Sequence, residues 1–363
     1  MHVAIIHSAS GRGLARDAEL LRQTVSELGH SVTVVTTQPQ KPLWRELSFK
    51  WHRALVKLPL GPLRLRIQHI QRAVRRLANP LPASTNLVIH LENVHPQYII
   101  KNQINWLIPN QEWFRTTRLH YLSDINRVLC KTQTAIAAFA PHHPSVQYLG
   151  FSIPNAITAG DPVIKSPEKS GFIHISGSSL SKGTAAVLQA WKNHPEWPIL
   201  SVVANSELVP DELSQNIKHY RNIDDAELEA LWKASRIAVI PSEVEGYGQV
   251  LVEAMKVGAV LITTDAPPMN ELITSERGYL VPYRDSRPFR LGRRFYVTAE
   301  DVEAAIQQIL DEPSEALEKK AQKAKEWVQE NHMAFKERLA SQFALIDESV
   351  VDSATQATKK SAA

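Results

Sequence analysis

Short apolar segments alternate with segments of helical periodicity along most of the chain. Ten apolar runs are candidate strands, at residues 3–7, 32–36, 87–90, 106–109, 128–130, 146–149, 172–175, 200–203, 237–240 and 260–263. Between the first two runs, Leu14, Ala18, Leu21 and Val25 recur at the spacing of one buried helix face. Continuously apolar strands that alternate with helices predict an α/β protein whose parallel sheets are covered on both faces.

The alternation is interrupted once, over residues 153–171, which contain three prolines and show no periodicity. Such a stretch is typical of an interdomain linker. A chain of 363 residues is also long enough for two cores. We therefore predict an N-terminal doubly wound domain over 1–153, a linker over 154–170 and a second doubly wound domain over 171–330. A C-terminal helix over 331–349 and a disordered tail over 350–363 are expected to follow.

Charge is distributed unevenly along the chain. The totals are 41 Lys and Arg against 37 Asp and Glu, a net charge of +4. Residues 41–76, an insert in the first domain, hold ten basic residues and one acidic residue, together with Trp44, Phe49 and Trp51. This basic insert predicts a contact with an anionic membrane surface or an acidic acceptor. A solvated excursion of the first domain is the alternative, and no motif supports nucleic acid as a partner.

Several kinds of site and location are disfavoured by the sequence. The single cysteine, Cys130, excludes a disulfide framework and a multi-cysteine zinc site. There is no Asp-x-Asp motif, and His142 and His143 lack further ligands at metal spacing, so we expect no metal. Neither an export signal nor an apolar run of membrane-spanning length is visible. We therefore expect a cytoplasmic protein, with peripheral binding at the inner face of the plasma membrane as a further expectation.

The segment most informative about chemistry is 241–258, PSEVEGYGQVLVEAMKVG. It reads as a turn after a strand, then Glu245-Gly246-Tyr247-Gly248, then a helix whose core-facing side excludes Glu253. Glycines let backbone N–H groups approach a ligand, and a helix N-terminus favours an anion. A carboxylate at Glu253 suits the vicinal hydroxyls of a ribose. The alternative is a glycine-rich turn with two solvated acids.

EGYGQVLVEAM resembles the E-x(7)-E signature of retaining GT-B glycosyltransferases, the group 1 or family 4 glycosyltransferases. Other segments resemble landmarks of that group in the same order: SELGHSVTVVTT, VLCKTQTAIAAF, YLGFSIPNA, HISGSSLSKGTAAVLQAW, GAVLITTDAPPMNEL and GYLVPY. The resemblance implies the GT-B fold, in which two Rossmann-like domains face each other across a cleft. It further implies a retaining, metal-independent hexosyltransferase without a cofactor. This enzyme would transfer a sugar from a nucleotide sugar to a glycan or lipid-linked acceptor, in polysaccharide or glycolipid biosynthesis.

By this resemblance, Glu253 binds the nucleotide ribose, Glu245 lies near the donor sugar, and Lys182 neutralises the departing diphosphate. The remaining donor-binding positions that it implies are Gly246, Tyr247 and Gly248 in the sugar-holding loop, Gly177, Ser178, Ser179 and Gly183 around the lysine, and Asn222 and Ile223 near the base.

The sequence departs from the family pattern at one place. Ser178 stands where the family has an arginine, and its loop is one residue shorter. Either Ser178, Ser179 and backbone amides share the diphosphate, or an arginine comes from elsewhere. The candidates are Arg284, Arg287, Arg290, Arg293 and Arg294.

Candidates in the first domain follow its strands. Gly11 and Gly13 join the first strand to the first helix, as a plain turn or as an acceptor or phosphate contact. The resemblance places His90 against the donor sugar, with an ordinary loop histidine as the alternative. Glu92 and Glu112 end strands and are expected on the acceptor side. Two other functions stay open. One is a nucleotide-sugar epimerase on the same fold. The other is a catalytically silent sugar-nucleotide-binding protein, which the serine in place of the family's arginine at position 178 would fit.

Overall fold

The computed structural model describes residues 1–9, 11–37, 81–99, 103–156, 171–205 and 207–361. The predicted basic insert, 41–76, and most of the predicted linker lie outside the described residues. The described chain contains two six-stranded parallel sheets with helices between the strands. The predicted α/β class is thereby confirmed.

The first sheet is built by the N-terminal half of the chain. Its strands are β1 (His2–Ser8), β2 (Ser31–Thr37), β3 (Thr85–Glu92), β4 (Ile104–Pro109), β5 (Arg127–Cys130) and β6 (Val146–Tyr148), in the order β2-β1-β3-β4-β5-β6. Helix α1 (Gly11–Glu27) connects β1 to β2, and α2 (Gln133–Phe139) connects β5 to β6; turns of 3-10 helix occupy Pro96–Tyr98 and Thr116–Asp124. Because the strand order reverses beside β1, a crevice opens at the carboxyl end of that strand.

The second sheet has the same plan. Its strands are β7 (Phe172–Gly177), β8 (Leu200–Ala204), β9 (Ile217–Tyr220), β10 (Ile237–Val239), β11 (Val260–Thr264) and β12 (Gly278–Val281), in the order β12-β11-β10-β7-β8-β9. Its helices are α3 (Thr184–Asn193), α4 (Asp225–Ala234), α5 (Gln249–Lys256), α6 (Met269–Leu272) and α7 (Ala299–Asp311). Here the order reverses between β7 and β10, so the loops after these two strands form the second crevice.

An antiparallel hairpin interrupts the second half of the chain. It consists of β13 (Asp285–Phe289) and β14 (Gly292–Tyr296) and contains Arg287, Arg290, Arg293 and Arg294. Trp113, after β4 of the first sheet, packs edge-on against Phe289 at a ring-centroid distance of 5.6 Å. The hairpin therefore reaches from the second domain to the first.

A single long helix, α8 (Ser314–Ser361), ends the described chain. Its apolar positions are spaced by three, four or seven residues and are buried: Ala324, Val328, Phe335, Leu339, Phe343 and Ile346. Phe335 packs on Phe151 at 5.3 Å and Phe343 on Trp106 at 5.2 Å, so the helix leaves the second domain and covers the first. One helix thus covers the predicted boundary at residue 330, and the predicted division of the chain and the predicted disordered tail from 350 stay predictions. No glycine or proline interrupts residues 314–361, so the backbone continues as one helix.

Candidate functional site

The N-terminal ends of α1 and α5 meet between the two crevices. The Gln249 amide, at the start of α5, donates to the Gly13 carbonyl at 3.1 Å and to the Asp17 carboxylate. A Cβ atom on Gly13 would lie 3.2 Å from the Gln249 amide oxygen, so the glycine allows this approach. Gly11 and Gly13 belong to the first turn of α1 and not to the connection before it, which corrects the prediction. The first domain thus contacts the E-x(7)-E helix directly.

Lys182 and Glu245 form an ion pair at the floor of the second crevice, with side chains 14% and 10% exposed. The Ser242 hydroxyl donates to the same carboxylate oxygen of Glu245 at 2.6 Å. Lys182 lies between β7 and α3, and Glu245 follows β10, so adjacent strands supply the two charges. This arrangement holds a cation and an anion side by side at the carboxyl edge of the sheet.

The loop that carries Lys182 is closed by glycines in left-handed backbone. Gly177 has φ 53° and Gly183 has φ 66°, and a Cβ on Gly183 would lie 2.4 Å from the Pro241 carbonyl oxygen. Within the loop, the Ser179 amide donates to Ser176 O at 2.9 Å, and the Ser179 hydroxyl accepts from the Ser181 amide at 3.2 Å. Ser178 is exposed. The loop is therefore a tight turn that presents Lys182 beside Glu245.

Glu253 forms an ion pair with Arg16 of α1, across the boundary between the two domains. Their side chains are 21% and 36% exposed. Burial raises the pKa of the Glu253 carboxyl, while the Arg16 guanidinium opposes the shift. The sequence indicated that Glu253 points away from its own core, but it did not indicate Arg16. An arginine in the second turn of an amphipathic helix carries no signal of a partner that lies 237 positions away.

The arginines considered as substitutes at position 178 have other partners. Arg284 binds the Asp301 carboxylate, Arg287 binds Asp285, Arg290 donates to the Trp113 carbonyl, Arg293 binds Ser286, and Arg294 lies 3.8 Å from Glu243. These contacts lie in the hairpin and its surroundings, and Arg294 approaches the Lys182 loop only through Glu243, whose amide donates to Ser181 O at 3.0 Å. Arg16 is the arginine that the structure places beside the E-x(7)-E helix.

Three consecutive residues at the end of β4 face the loop that contains Glu245. A Cβ on Gly246 would lie 2.5 Å from Glu112 Oε1 and 2.6 Å from Asn110 Cγ. The Gln111 amide donates to the Glu245 carbonyl at 3.1 Å. Burial, reinforced by the Glu245 charge, raises the pKa of the Glu112 carboxyl to about 8. The structure therefore brings the predicted Glu112 to the predicted donor loop and adds Asn110 and Gln111, which the sequence did not single out.

Two members of the glycine-rich loop have structural roles. The Tyr247 hydroxyl donates to Phe151 O at 2.6 Å and accepts from the Asn331 amide at 3.0 Å, and its ring is buried. Gly248, at φ 104°, caps α5, and a Cβ there would meet Leu251 and Leu272 at 3.0 Å. The side chain of Tyr247 is therefore committed to packing, which leaves only its backbone for the predicted ligand contact.

The segment before α4 was predicted to lie near the nucleotide base. Asn222 takes left-handed backbone at φ 52°, and its amide donates to Asn205 Oδ1 at 2.8 Å. Ile223 packs against the core of the domain. Asp224 caps α4 through a capping box with Glu227. A contact between this segment and a base stays a prediction.

His90 and Glu92 occupy the carboxyl end of β3. His90 is fully buried and accepts from the His95 amide through Nδ1 at 3.2 Å. Burial lowers the pKa of His90 to about 3, so the ring is neutral. Glu92 has φ 64° and accepts from Asn93 at 3.0 Å, and burial raises its pKa. His90 is therefore a buried strand residue and not the loop histidine of the alternative, and its place against a donor sugar stays a prediction.

Two further searches bear on the predictions. Over the described ranges, there is no group of three His, Cys, Asp or Glu side chains that could hold a metal ion. The part of the chain with assigned structure has no helix both long and apolar enough to cross a membrane.

Comparison with known proteins gives one family and many structures. Residues 211–327 match the family model described as Glycosyl transferases group 1. No curated protein sequence is significantly similar to the chain. Among solved structures, sucrose-phosphate synthase from Thermosynechococcus elongatus has a TM-score of 0.65 at 15% identity, covering 96% of this chain and 100% of that one.

Two further structures cover both chains almost completely. Anabaena HepE in complex with UDP-glucose has a TM-score of 0.61 at 15% identity, with 95% of this chain and 99% of that one covered. WaaG, a glycosyltransferase involved in lipopolysaccharide biosynthesis, has a TM-score of 0.60 at 16% identity, with 94% and 98% covered. At these identities the likeness establishes the fold. The predicted GT-B fold is confirmed, and the family match supports a role in glycosyl transfer. Residues 211–327 thus match the model of the glycosyl transferases group 1 family, within a chain that has the GT-B fold.

Proposed function

We propose that this protein is a retaining glycosyltransferase that transfers a hexose from a nucleotide sugar to a glycan or lipid-linked acceptor without a metal ion. The observation that carries the proposal is the position of Lys182, Glu245 and Glu253. Lys182 and Glu245 lie beside the carboxyl ends of β7 and β10, and Glu253, on α5, contacts the first domain through Arg16. HepE, of the same fold, has been solved with UDP-glucose, which is the class of donor proposed here.

The proposed donor site uses the two carboxylates for different parts of the ligand. Glu253 on α5 accepts from the ribose hydroxyls, and Lys182 binds the diphosphate. Glu245 lies beside Lys182, close to where the anomeric carbon develops positive charge. During transfer, the bond from this carbon to the phosphate oxygen breaks, and the diphosphate leaves with the electron pair. The acceptor oxygen then bonds to the carbon, and its proton passes to the leaving phosphate.

Lys182 contributes because the departing diphosphate gains negative charge in the transition state. A fixed cation at that place stabilises the transition state more than the ground state. The Lys182 ammonium pairs with Glu245, whose carboxylate also accepts from the Ser242 hydroxyl, so the ammonium group is held in one position. The geometry therefore supplies a preorganised positive charge.

Arg16 is proposed to supply the positive charge that the family's arginine supplies and that the serine at position 178 does not. It is the arginine that reaches α5 from the opposite domain, and its pairing with Glu253 places it beside the proposed ribose position. In the proposed complex, the ribose replaces Arg16 as the partner of Glu253, and the guanidinium binds the diphosphate. A guanidinium suits a phosphate because it can donate two parallel hydrogen bonds.

The proposal extends to location. Residues 41–76, outside the described part of the chain, are proposed to bind the acceptor or an anionic membrane at the cytoplasmic face. WaaG acts in lipopolysaccharide biosynthesis, and a related role in polysaccharide or glycolipid synthesis is proposed for this chain.

The test is donor turnover by the wild type and two variants, measured as release of nucleoside diphosphate from a panel of nucleotide hexoses. Lys182→Ala is expected to lower turnover by about 10²–10³-fold, the range seen for loss of one transition-state donor. Glu253→Gln is expected to weaken nucleotide binding about tenfold or more, while its fold stays intact. Glu337→Gln, on the exposed face of α8, is the matched control. Unchanged turnover in both site variants contradicts the proposal, as does wild-type protein that turns over none of the donors.

A further inference from the structure

Three consecutive side chains at the end of β4 have buried oxygen atoms without a hydrogen-bond partner. They are Asn110 Oδ1, Gln111 Oε1 and Glu112 Oε2. Buried polar atoms in folded proteins nearly always have a partner, because an unpaired one costs free energy. Here three consecutive residues each have such an atom. Their chemistry suits a ligand that brings several hydroxyl groups into a small volume.

These oxygens lie against the loop proposed to hold the donor sugar. A Cβ on Gly246 would be 2.5 Å from Glu112 Oε1 and 2.8 Å from Asn110 Oδ1, so both side chains contact the bare backbone of the glycine. The Gln111 amide group is already used on the Glu245 carbonyl, at 3.1 Å. Because this bond uses the nitrogen of the side-chain amide, its oxygen is left for a ligand.

The surroundings of Glu112 keep its carboxyl neutral. Burial is the main cause, and the charges of Glu245 and Glu92 add to it, while Lys131 opposes it. Arg290, on the hairpin, also lies near enough to interact with Glu112. The balance raises the pKa of Glu112 to about 8, so at neutral pH this side chain carries a proton and has a hydrogen bond to give.

We propose that Asn110, Gln111 and Glu112 form the subsite that binds the hydroxyls of the donor hexose, with Glu112 acting as a neutral carboxyl that donates one hydrogen bond and accepts another. Asn110 and Gln111 accept from neighbouring hydroxyls. The inference rests on the proposed function and deepens it, because it adds residues of the first domain to recognition of the sugar. The contacts of Gln111 and Glu112 with the Glu245–Gly246 loop place these residues beside the rest of the proposed donor site.

A pair of probes separates the two halves. Binding is measured at pH 7 for UDP and UDP-glucose, and for GDP and GDP-mannose, to the full chain and to its variants. In Glu112→Ala, affinity for the nucleotide hexose is expected to fall about tenfold, the value of one lost hydrogen bond of about 1.4 kcal/mol. Affinity for the free nucleoside diphosphate should not change. Glu112→Gln, which is neutral and can still donate, should keep most of the wild-type affinity for the sugar conjugate. Glu337→Gln is again the control.

The pH dependence gives a second readout. Above about pH 8, the wild-type carboxyl loses its proton, so the preference for the sugar conjugate over the free diphosphate should fall between pH 7 and pH 9. In Glu112→Gln this preference should stay constant over the same range. Loss of sugar affinity in Glu112→Gln as large as in Glu112→Ala overturns the proposal, because it shows that the carboxylate is needed.

Equal weakening of diphosphate and sugar conjugate also overturns it, since Glu112 then only positions the loop. If Glu112→Ala fails to fold by circular dichroism, the Gln variant and its pH profile decide. Failure of the wild type to bind any nucleotide overturns the proposed function, and this inference with it. A wild type that binds nucleotides but fails the Glu112 tests overturns this inference alone.

Discussion

Removal of Lys131 tests how the two domains are joined beneath the site. The Lys131 ammonium pairs with the Asp17 carboxylate, and the two side chains are 1% and 5% exposed. Asp17 also accepts from Gln249 of α5, so this carboxylate links β5, α1 and the second domain. Lys131 further lies 4.2 Å from the centre of the Phe151 ring. Lys131→Ala leaves the Asp17 carboxylate buried without its counter-ion.

The size of the effect follows from the proton that Asp17 must then take up. Burial already raises the pKa of Asp17 above its ordinary value of 3.8, and Lys131 opposes that rise. Without Lys131, the Asp17 carboxyl can take up a proton in the folded protein. At pH 7 this limits the loss of unfolding free energy to about 4 kcal/mol, from 1.36 kcal/mol for each pH unit between 3.8 and 7. The same reasoning gives a limit of about 2 kcal/mol at pH 5.

The assay is urea unfolding of the wild type and Lys131→Ala at several pH values from 5 to 7.5. The destabilisation should reach about 3–4 kcal/mol at pH 7 and should shrink as the pH falls, because the unfolded chain also approaches protonation. In the double variant Lys131→Ala, Asp17→Asn, this pH dependence should disappear. The control is Lys336→Ala, whose ion pair with Glu27 is exposed and is expected to cost less than about 1 kcal/mol. A loss below about 1 kcal/mol for Lys131→Ala, or one that is independent of pH, refutes the reasoning.

Two further changes test the contacts between the domains. Gly246→Ala places a methyl group 2.5 Å from Glu112 Oε1, so it should lower donor turnover at least tenfold. Gly292→Ala is the control, because its methyl group has its nearest contact at 3.6 Å and should not lower turnover. Equal turnover by the two variants would contradict the contact between Gly246 and Glu112. Phe343→Ala removes a ring that is 2% exposed and packs on Trp106 of the first sheet, so urea unfolding should show a loss of about 3–5 kcal/mol, and a loss below about 1 kcal/mol would show that α8 does not support that domain.

Local patterns in the sequence predicted much of the fold. The ten apolar runs correspond to strands in the two sheets, and inner strands such as β1 and β7 are continuously apolar because they are buried on both faces. The apolar stripe in the first helix is also buried as expected, since it depends on residues within a few turns of one another. β9, with exposed Lys218 in a four-residue strand, lacks this signal and was missed.

The parts of the site that the sequence did not predict depend on contacts between distant residues. Arg16 meets Glu253 across 237 positions, and Gln111 meets Glu245 across 134. Neither pairing leaves a periodic or spaced signal in the chain. The hairpin was not predicted either, because its arginines are held by cation–π contacts, such as Arg294 over Phe289 at 4.3 Å, which leave no periodic pattern.

The most direct test of the central claim is a crystal structure of the full chain with the nucleoside diphosphate that it binds best. The account predicts the ribose hydroxyls on the Glu253 carboxylate, the diphosphate within hydrogen-bond distance of Lys182 and Arg16, and the Arg16–Glu253 pair replaced. A nucleotide bound elsewhere, or one bound here while Arg16 remains on Glu253 and Lys182 stays more than about 5 Å from the phosphates, beyond hydrogen-bond reach, would contradict it.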